Sequence, residues 1–526
     1  MGRLGDTIKS ACGIEGSVKE TLRPMINYDC ANITLGGAGY PIGQFHQQFL
    51  AYVEGLDTEQ AGKISLIAGL WDAVSDPIMG LLTDRTRSKR GRHRPYLLIA
   101  AVPFAIAYFL RWTSFGISAT GNTGAVWGWY LFGSLMYCTF MTMLSIPHTA
   151  MLPTIAPHYF ERTQYKIVEY AFNSIGQVSS YVFTALALSG FNVKTALTAL
   201  PTPSPDDRPN YTMVGIVLAV WFVWSPILCY FKTKEPSSLG QHNEPIDYKY
   251  LWHEYRTVFS NRAFRQYFVI SLFYSMARYF CSYADQYFMV SVTDTYNIFI
   301  SMNIVAGIAE FSGSPFNYFI TRYKGKTACG KILGPLMVVG IALNGFLTYT
   351  TPKPIKYAVV ILSAILYNFG FSGPGFVGEN IAPDVTDVDE LITGRRREGV
   401  IATFRTFTGK AISSFMGYAV GKSLKLFGYD PAVKAPELQK PITAFGLRLN
   451  YAFIPAVLAF FCVLSIFRYT MTKHDHERIK EIIAEKHRTG TCVIDEEEKK
   501  RIERIAGRRW DEMWIGTPEP VMEAEG

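Results

Sequence analysis

Apolar residues in this chain come in long runs broken by short polar stretches. A helix needs about 20 mostly apolar residues to cross a bilayer. Twelve segments reach that length, at about 31–53, 61–83, 96–115, 125–152, 165–190, 211–231, 264–290, 296–320, 329–350, 355–380, 399–424 and 449–470. The pattern predicts an all-α membrane protein with twelve transmembrane helices. Those beginning at 31, 165, 296 and 399 carry the most polar residues. Gly and Pro inside them are normal for membrane helices.

The loops give orientation. Loops 84–95, 153–166, 232–265, 321–331 and 381–398 together hold 21 Lys and Arg, and the alternate set holds 8. Basic residues in short loops stay on the cytoplasmic side, so an even number of spans places both termini in the cytoplasm. The expected organisation is a cytoplasmic N-terminus (1–30), a six-helix half (31–231), a cytoplasmic central loop (232–263), a second six-helix half (264–470) and a charged cytoplasmic tail (471–526). Six plus six spans across a polar linker is the layout of the major facilitator fold, whose substrate site lies near the bilayer midplane. In the tail, HDHERIKEIIAEKHR and IDEEEKKRIERIAGRRWDEMW predict short charged helices with Ile and Trp on one face. The simplest reading is a solvated tail on the cytoplasmic surface, with docking or regulation as the other.

Composition agrees with a membrane protein. Charged residues make up 18% of the chain, against roughly 25% in soluble proteins, and the formal net charge is +8. The basic residues follow topology and imply no nucleic-acid partner. The eight cysteines are scattered, with no CxxC and no His at metal-ligand spacing, so neither a disulfide framework nor a zinc site is expected. The first twenty residues lack the apolar core of a cleaved leader. No nucleophile–base arrangement or phosphate loop is present, so an enzyme and a bound cofactor are not expected.

The segment 61–83 contains WDAVSDPIMG. Asp72 and Asp76 are one helical turn apart and share a face. An aspartate at the bilayer centre costs about 2.5–3.5 kcal/mol even on insertion scales, so such residues face a bundle interior or an aqueous cavity and mark ion or proton pathways. Two carboxylates on one face can share a proton or cage a small cation through hard oxygens, with the Ser75 hydroxyl beside them. The structural alternative is a salt bridge to a basic residue on a neighbouring helix.

WDAVSDPIMGLLTDRTRSKRGRHRPYLL, SIPHTAMLPTI (145–155) and APDVTDVDELITGRRREGVIATFRTFTGK (382–410) together resemble the glycoside–pentoside–hexuronide cation symporter family, the melibiose-permease-like branch of the major facilitator superfamily. The resemblance covers about residues 25–470 and excludes the tail. It implies cation-coupled symport of a sugar or glycoside by alternating access, coupled to Na⁺, Li⁺ or H⁺, in the cytoplasmic membrane and in a protein that functions as a monomer. It places the cation site on Asp72, Ser75, Asp76 and Thr142. It places the coupling lysine of the eleventh span on Lys410. Asp84 and Arg85 fall in its loop motif after the second span. Asp384, Asp387 and Arg396 fall in a charged strip read as a cytoplasmic latch between conformations.

On the sugar side the chain departs from the family. The fourth-span sugar-binding acid falls on Ser145 and the fifth-span arginine on Tyr170, while the first-span acid falls near Gly37. His46, Arg278, Asp285 and Arg405 are other polar residues within spans that could approach substrate. Arg278 and Asp285, two turns apart, could pair with each other or across helices. A non-sugar substrate (lipid-like, aromatic or an organic anion) on the same fold therefore stays open, as does a non-transporting membrane sensor.

Overall fold

A computed structural model of the chain describes residues 18–517, apart from 157–158, 199, 201, 238–255, 434, 491 and 493. Most of the expected central loop lies outside the described residues. The described residues are helical and contain no strand. We number the helices α1 (Val18–Asp29), α2 (32–52, including a π-helical turn at Ile42–His46), α3 (Thr58–Arg85), α4 (Arg94–Leu110), α5 (Thr123–Ile155), α6 (Tyr159–Leu188), α7 (Val193–Thr198) and α8 (Arg208–Lys232). They continue with α9 (Arg262–Phe288), α10 (Phe299–Lys324), α11 (Lys326–Leu343), α12 (Lys353–Thr393), α13 (Glu398–Leu426), α14 (441–467), α15 (Lys473–Thr489) and α16 (Glu496–Ala506).

Twelve of these, α2 to α6, α8 and α9 to α14, coincide with the twelve apolar segments. Among the described residues, six helices are long and apolar enough to span a membrane by length and composition alone, and Arg94–Leu110 is apolar but shorter. Ile99, Val102 and Ile106 of α4 are each more than half exposed. They recur along one face, as a lipid-facing stripe must.

The chain divides into two compact units. The first holds residues 1–244, 289–300 and 414–443. Its core is aromatic: Phe49 lies 4.8 Å from Tyr211, and the Trp112 and Tyr211 rings stack at 6.0 Å. Helices α2 and α6 touch backbone to backbone. A Cβ on Gly37 would lie 2.5 Å from the Gly176 carbonyl oxygen, and one on Gly176 would lie 2.3 Å from that of Ile33. Small residues allow this approach between membrane helices. Asp57 caps α3 by accepting from the Gln60 amide, and the Asp57 amide donates in turn to Gln60 Oε1. Residues 414–443 pack in the same unit: Thr58 donates to the Gly421 carbonyl at 2.8 Å, and Lys425 reaches Asp57 and Glu59 at 3.0 and 3.1 Å.

The basic loop after α3 is fastened by a buried carboxylate. Glu235, just beyond α8, accepts from the amides of His93 and Arg94, at 3.0 and 2.9 Å, and contacts the His93 ring at 2.7 Å. It thereby serves the open amides at the N-terminus of α4, where negative charge is favoured. Gly91 adopts φ +93°, and a Cβ there would lie 2.1 Å from a Glu235 oxygen. Burial alone would raise the Glu235 pKa. The His93 ring and the two amides outweigh it and hold the carboxyl below its ordinary value.

The second unit holds residues 245–288, 301–413 and 444–526. Helix α11 packs between α12 and α14. Helix α12 has 41 residues, about 60 Å at 1.5 Å per residue. This is twice the hydrocarbon thickness, so its last turns extend beyond the span. The tail docks on this unit. Ile479, Ile482, Ile502, Ile505, Met513 and Ile515 are buried in one cluster with Phe264, Val385, Val388 and Leu391. Trp514 lies against Gly394, the αL residue that ends α12, where a Cβ would come within 2.7 Å of the indole. The tail's Ile and Trp face is therefore folded into the core of the second unit rather than left in solvent.

Two outcomes are expected. Ile482→Ala, within that cluster, lowers stability by about 2–5 kcal/mol, as large-to-small core changes do; an unchanged Tm of the purified protein would contradict the docking. The Glu235 pKa is lowered on folding, so its contribution is fully present above the ordinary value of 4.5 and is lost as pH falls through the lower folded value. The stability advantage of the native protein over Glu235→Gln should therefore shrink below pH 4.5; a constant difference between Tm–pH curves would contradict it.

Candidate functional site

The second-span aspartates meet the fourth span at one hydroxyl. Thr142 of α5 has its Oγ1 3.1 Å from Asp72 Oδ1 and 3.1 Å from Asp76 Oδ1. A hydroxyl carries one hydrogen and so donates to one of the two at a time. Ser75 Oγ lies 3.2 Å from Thr142 Oγ1 and 3.1 Å from the Asp72 carbonyl oxygen. Thr142 and Ser75 are buried, at 2% and 8% exposure, and the two aspartates are half-buried. One turn earlier, the Trp71 indole donates to Thr139 Oγ1 at 2.8 Å and ties the same two helices together. Pro77 inside α3 removes the amide that would bond the Ala73 carbonyl. The result is a group of hard oxygens, from two carboxyl groups and two hydroxyls, in an apolar helix pair. Among the described residues, no three His, Cys, Asp or Glu side chains gather as a metal-ligating cluster. Carboxylate and hydroxyl oxygens suit a small hard cation rather than a transition metal.

The other expected site residues lie on α2, α5, α6, α9 and α13. Ser145 lies on α5 beyond Thr142 and is half-buried, and Tyr170 on α6 is 74% exposed. His46 is a packed core residue, with one ring nitrogen 3.1 Å from the Arg111 carbonyl oxygen, the other 3.1 Å from the Arg111 guanidinium, and the ring edge against Trp112. In the second unit, Arg278 lies 3.1 Å from Glu310 of α10 rather than on Asp285, with its guanidinium 4.6 Å from the centre of the Phe371 ring. Asp285 is buried, and one of its oxygens has no hydrogen-bond partner among the described residues. Arg405 of α13 pairs with Glu379 of α12. Lys410 is half-buried on α13.

The charged loops are also mapped. Asp84 lies 3.9 Å from Arg92, and its carbonyl accepts from Arg87, while Arg85 is exposed. Asp384 binds Lys326 at 2.7 Å; Asp387 binds His476 of the tail at 2.7 Å and Arg396 at 3.5 Å. Arg396 also holds Glu398 at 2.6 Å. Arg397 grips Asp389 through two 2.7 Å bonds, with both side chains buried. Sequence reading missed Arg111, Glu235 and His476. Arg111 and Glu235 act through partners distant in the chain, and His476 looked like one more charge in a polar tail.

The sequence profile of a family described as "MFS/sugar transport protein" matches residues 27–473. The chain belongs to this family. It is thus an integral membrane transporter of the major facilitator fold, and not an enzyme. The family match ends where the docked tail begins. A putative glycoside/cation symporter of Escherichia coli, YagG, is 25% identical over 86% of this chain and 92% of its own length. The sodium-dependent lysophosphatidylcholine symporter 1 of Gallus gallus is 26% identical over 85% of this chain and 86% of its own. Among solved structures, that of a D-xylose–proton symporter aligns with TM-score 0.57 and 14% identity, over 87% of this chain and 99% of the other.

Thr142→Val removes a hydroxyl within reach of both carboxylates. A hydrogen bond to a charged group is worth about 1.5–3 kcal/mol, so the variant should bind the coupling cation about ten- to a hundredfold more weakly. The cation dependence of substrate binding measures this; an unchanged half-saturating cation concentration would remove Thr142 from the site.

Proposed function

We propose that the protein takes up a sugar or glycoside across the plasma membrane by alternating access, driven by a cation bound at Asp72 and Asp76. The observation that carries this reading is the Thr142 hydroxyl 3.1 Å from both carboxylates. A symporter needs a site whose charge changes when the ion arrives, and this pair supplies it. Na⁺, Li⁺ or H⁺ fits the donor set. The ion offsets the mutual repulsion of the carboxylates and stabilises the substrate-binding state. By linkage, the substrate must then raise the affinity for the ion by the same factor. Lys410 keeps the coupling role that the family resemblance gives it, and Arg405 on the same helix is a further polar residue that could approach substrate. Both termini lie in the cytoplasm, as the loop charges imply, and the protein works as a monomer. The names of the glycoside/cation symporter and of an isoprimeverose transporter of Lactiplantibacillus pentosus, 23% identical over 85% of the chain, support a sugar as cargo.

A second reading, a lysophospholipid cargo, is favoured by the likeness to the lysophosphatidylcholine symporters and by Ser145 and Tyr170 standing where the resembled family binds sugar. Uptake into proteoliposomes tests both. Asp72→Asn and Asp76→Asn should each abolish cation-stimulated accumulation of a labelled sugar while leaving the protein folded. Cation-stimulated uptake that survives in both variants would contradict the cation site, and stimulated uptake of lysophosphatidylcholine in place of sugar would favour the second reading.

A further inference from the structure

The second unit contains a cavity of about 220 Å³ between α9, α12 and α13. This is smaller than the ~300 Å³ at the lower end of drug-sized pockets, so it takes a single ring rather than an acyl chain. Tyr267, Tyr274 and Phe404 line it together with Ser271, Glu379 and Arg405. Its aromatic walls are fixed in place. Tyr274 stacks on Phe371 at 4.3 Å, and Phe404 sits edge-on to Phe264 at 5.6 Å. The buried Tyr267 hydroxyl and the Ser271 hydroxyl one turn on along α9 place two polar groups in the wall. Glu379 and Arg405 pair with side-chain exposures of 60% and 44%, and they offer accepting and donating atoms together.

We infer that this cavity is a sugar subsite, which takes one pyranose or furanose ring. The inference rests on the sugar reading proposed above and adds where the ring is held. Aromatic faces cover the C–H face of the ring. The Tyr267 hydroxyl, Ser271 and the Glu379–Arg405 pair bond its hydroxyls. The acids that the resembled family places on spans one and four are absent from this chain, and this cavity supplies polar recognition elsewhere. Glycine keeps the cavity open. A Cβ on Gly378 would meet only Ser271 Oγ, at 4.0 Å, so a side chain there starts from open space and takes up cavity volume.

The test is calorimetric binding of D-xylose, D-glucose and methyl β-D-glucoside to the purified full-length chain in saturating Na⁺ at a fixed pH. The native protein should bind at least one of these probes. Tyr267→Phe should weaken that binding about three- to tenfold, the worth of one neutral hydrogen bond, and Gly378→Leu should abolish it while leaving the unliganded Tm unchanged. Native affinity in both variants would overturn the subsite and leave the sugar reading standing. A native protein that binds none of the three sugars, whether or not it binds lysophosphatidylcholine, would overturn the sugar reading and the subsite together.

Discussion

Two carboxylates on one face of an apolar helix are the constraint around which the first unit is built. A single aspartate at the bilayer centre costs about 2.5–3.5 kcal/mol, and a second one four residues on adds repulsion. Such a pair persists only if something nearby compensates it. The structure supplies two buried hydroxyls, Thr142 and Ser75, and no cluster of further acids among the described residues. The Trp71–Thr139 bond and the close approach of α2 to α6 at Gly37 and Gly176 hold the surrounding helices in register.

The charged residues outside the spans have a different task. Glu235 satisfies the first amides of α4 and fastens the basic loop. Asp384, Asp387 and Asp389 lie near the end of a helix far longer than the membrane is thick, and each has a cationic partner within its own unit. Asp387 also meets the His476 ring of the tail. The tail thus contributes both apolar surface and polar contacts to the second unit, although the family match stops at residue 473.

Much of this was legible in the sequence, because the bilayer imposes a length and a polarity that a one-dimensional scan detects. The twelve spans followed from hydropathy, and Asp72, Ser75 and Asp76 followed from helical spacing. Thr142 needed the family resemblance, since no local pattern links α5 to α3. Pairings across helices were not legible. Spacing left Arg278 open to Asp285 or to a neighbouring helix without saying which, and it meets Glu310 on the next helix; His46, more often a core histidine than a ligand by residue type, lies beside Arg111, which spacing could not name. The docking of the tail was hidden for a related reason. Its helices are strongly charged, and their short apolar face gains meaning only against the complementary surface of Phe264, Val385 and Leu391.

The central claim is that the coupling ion sits on the second-span carboxylates. Hydrophobic carbodiimides modify protonated carboxyl groups within membranes, so the site can be read by mass spectrometry of the labelled, digested protein. The account predicts labelling at Asp72 or Asp76 that falls with added Na⁺ or Li⁺, or with rising pH if the ion is a proton. Labelling of these residues that responds to neither alkali cations nor pH would contradict it.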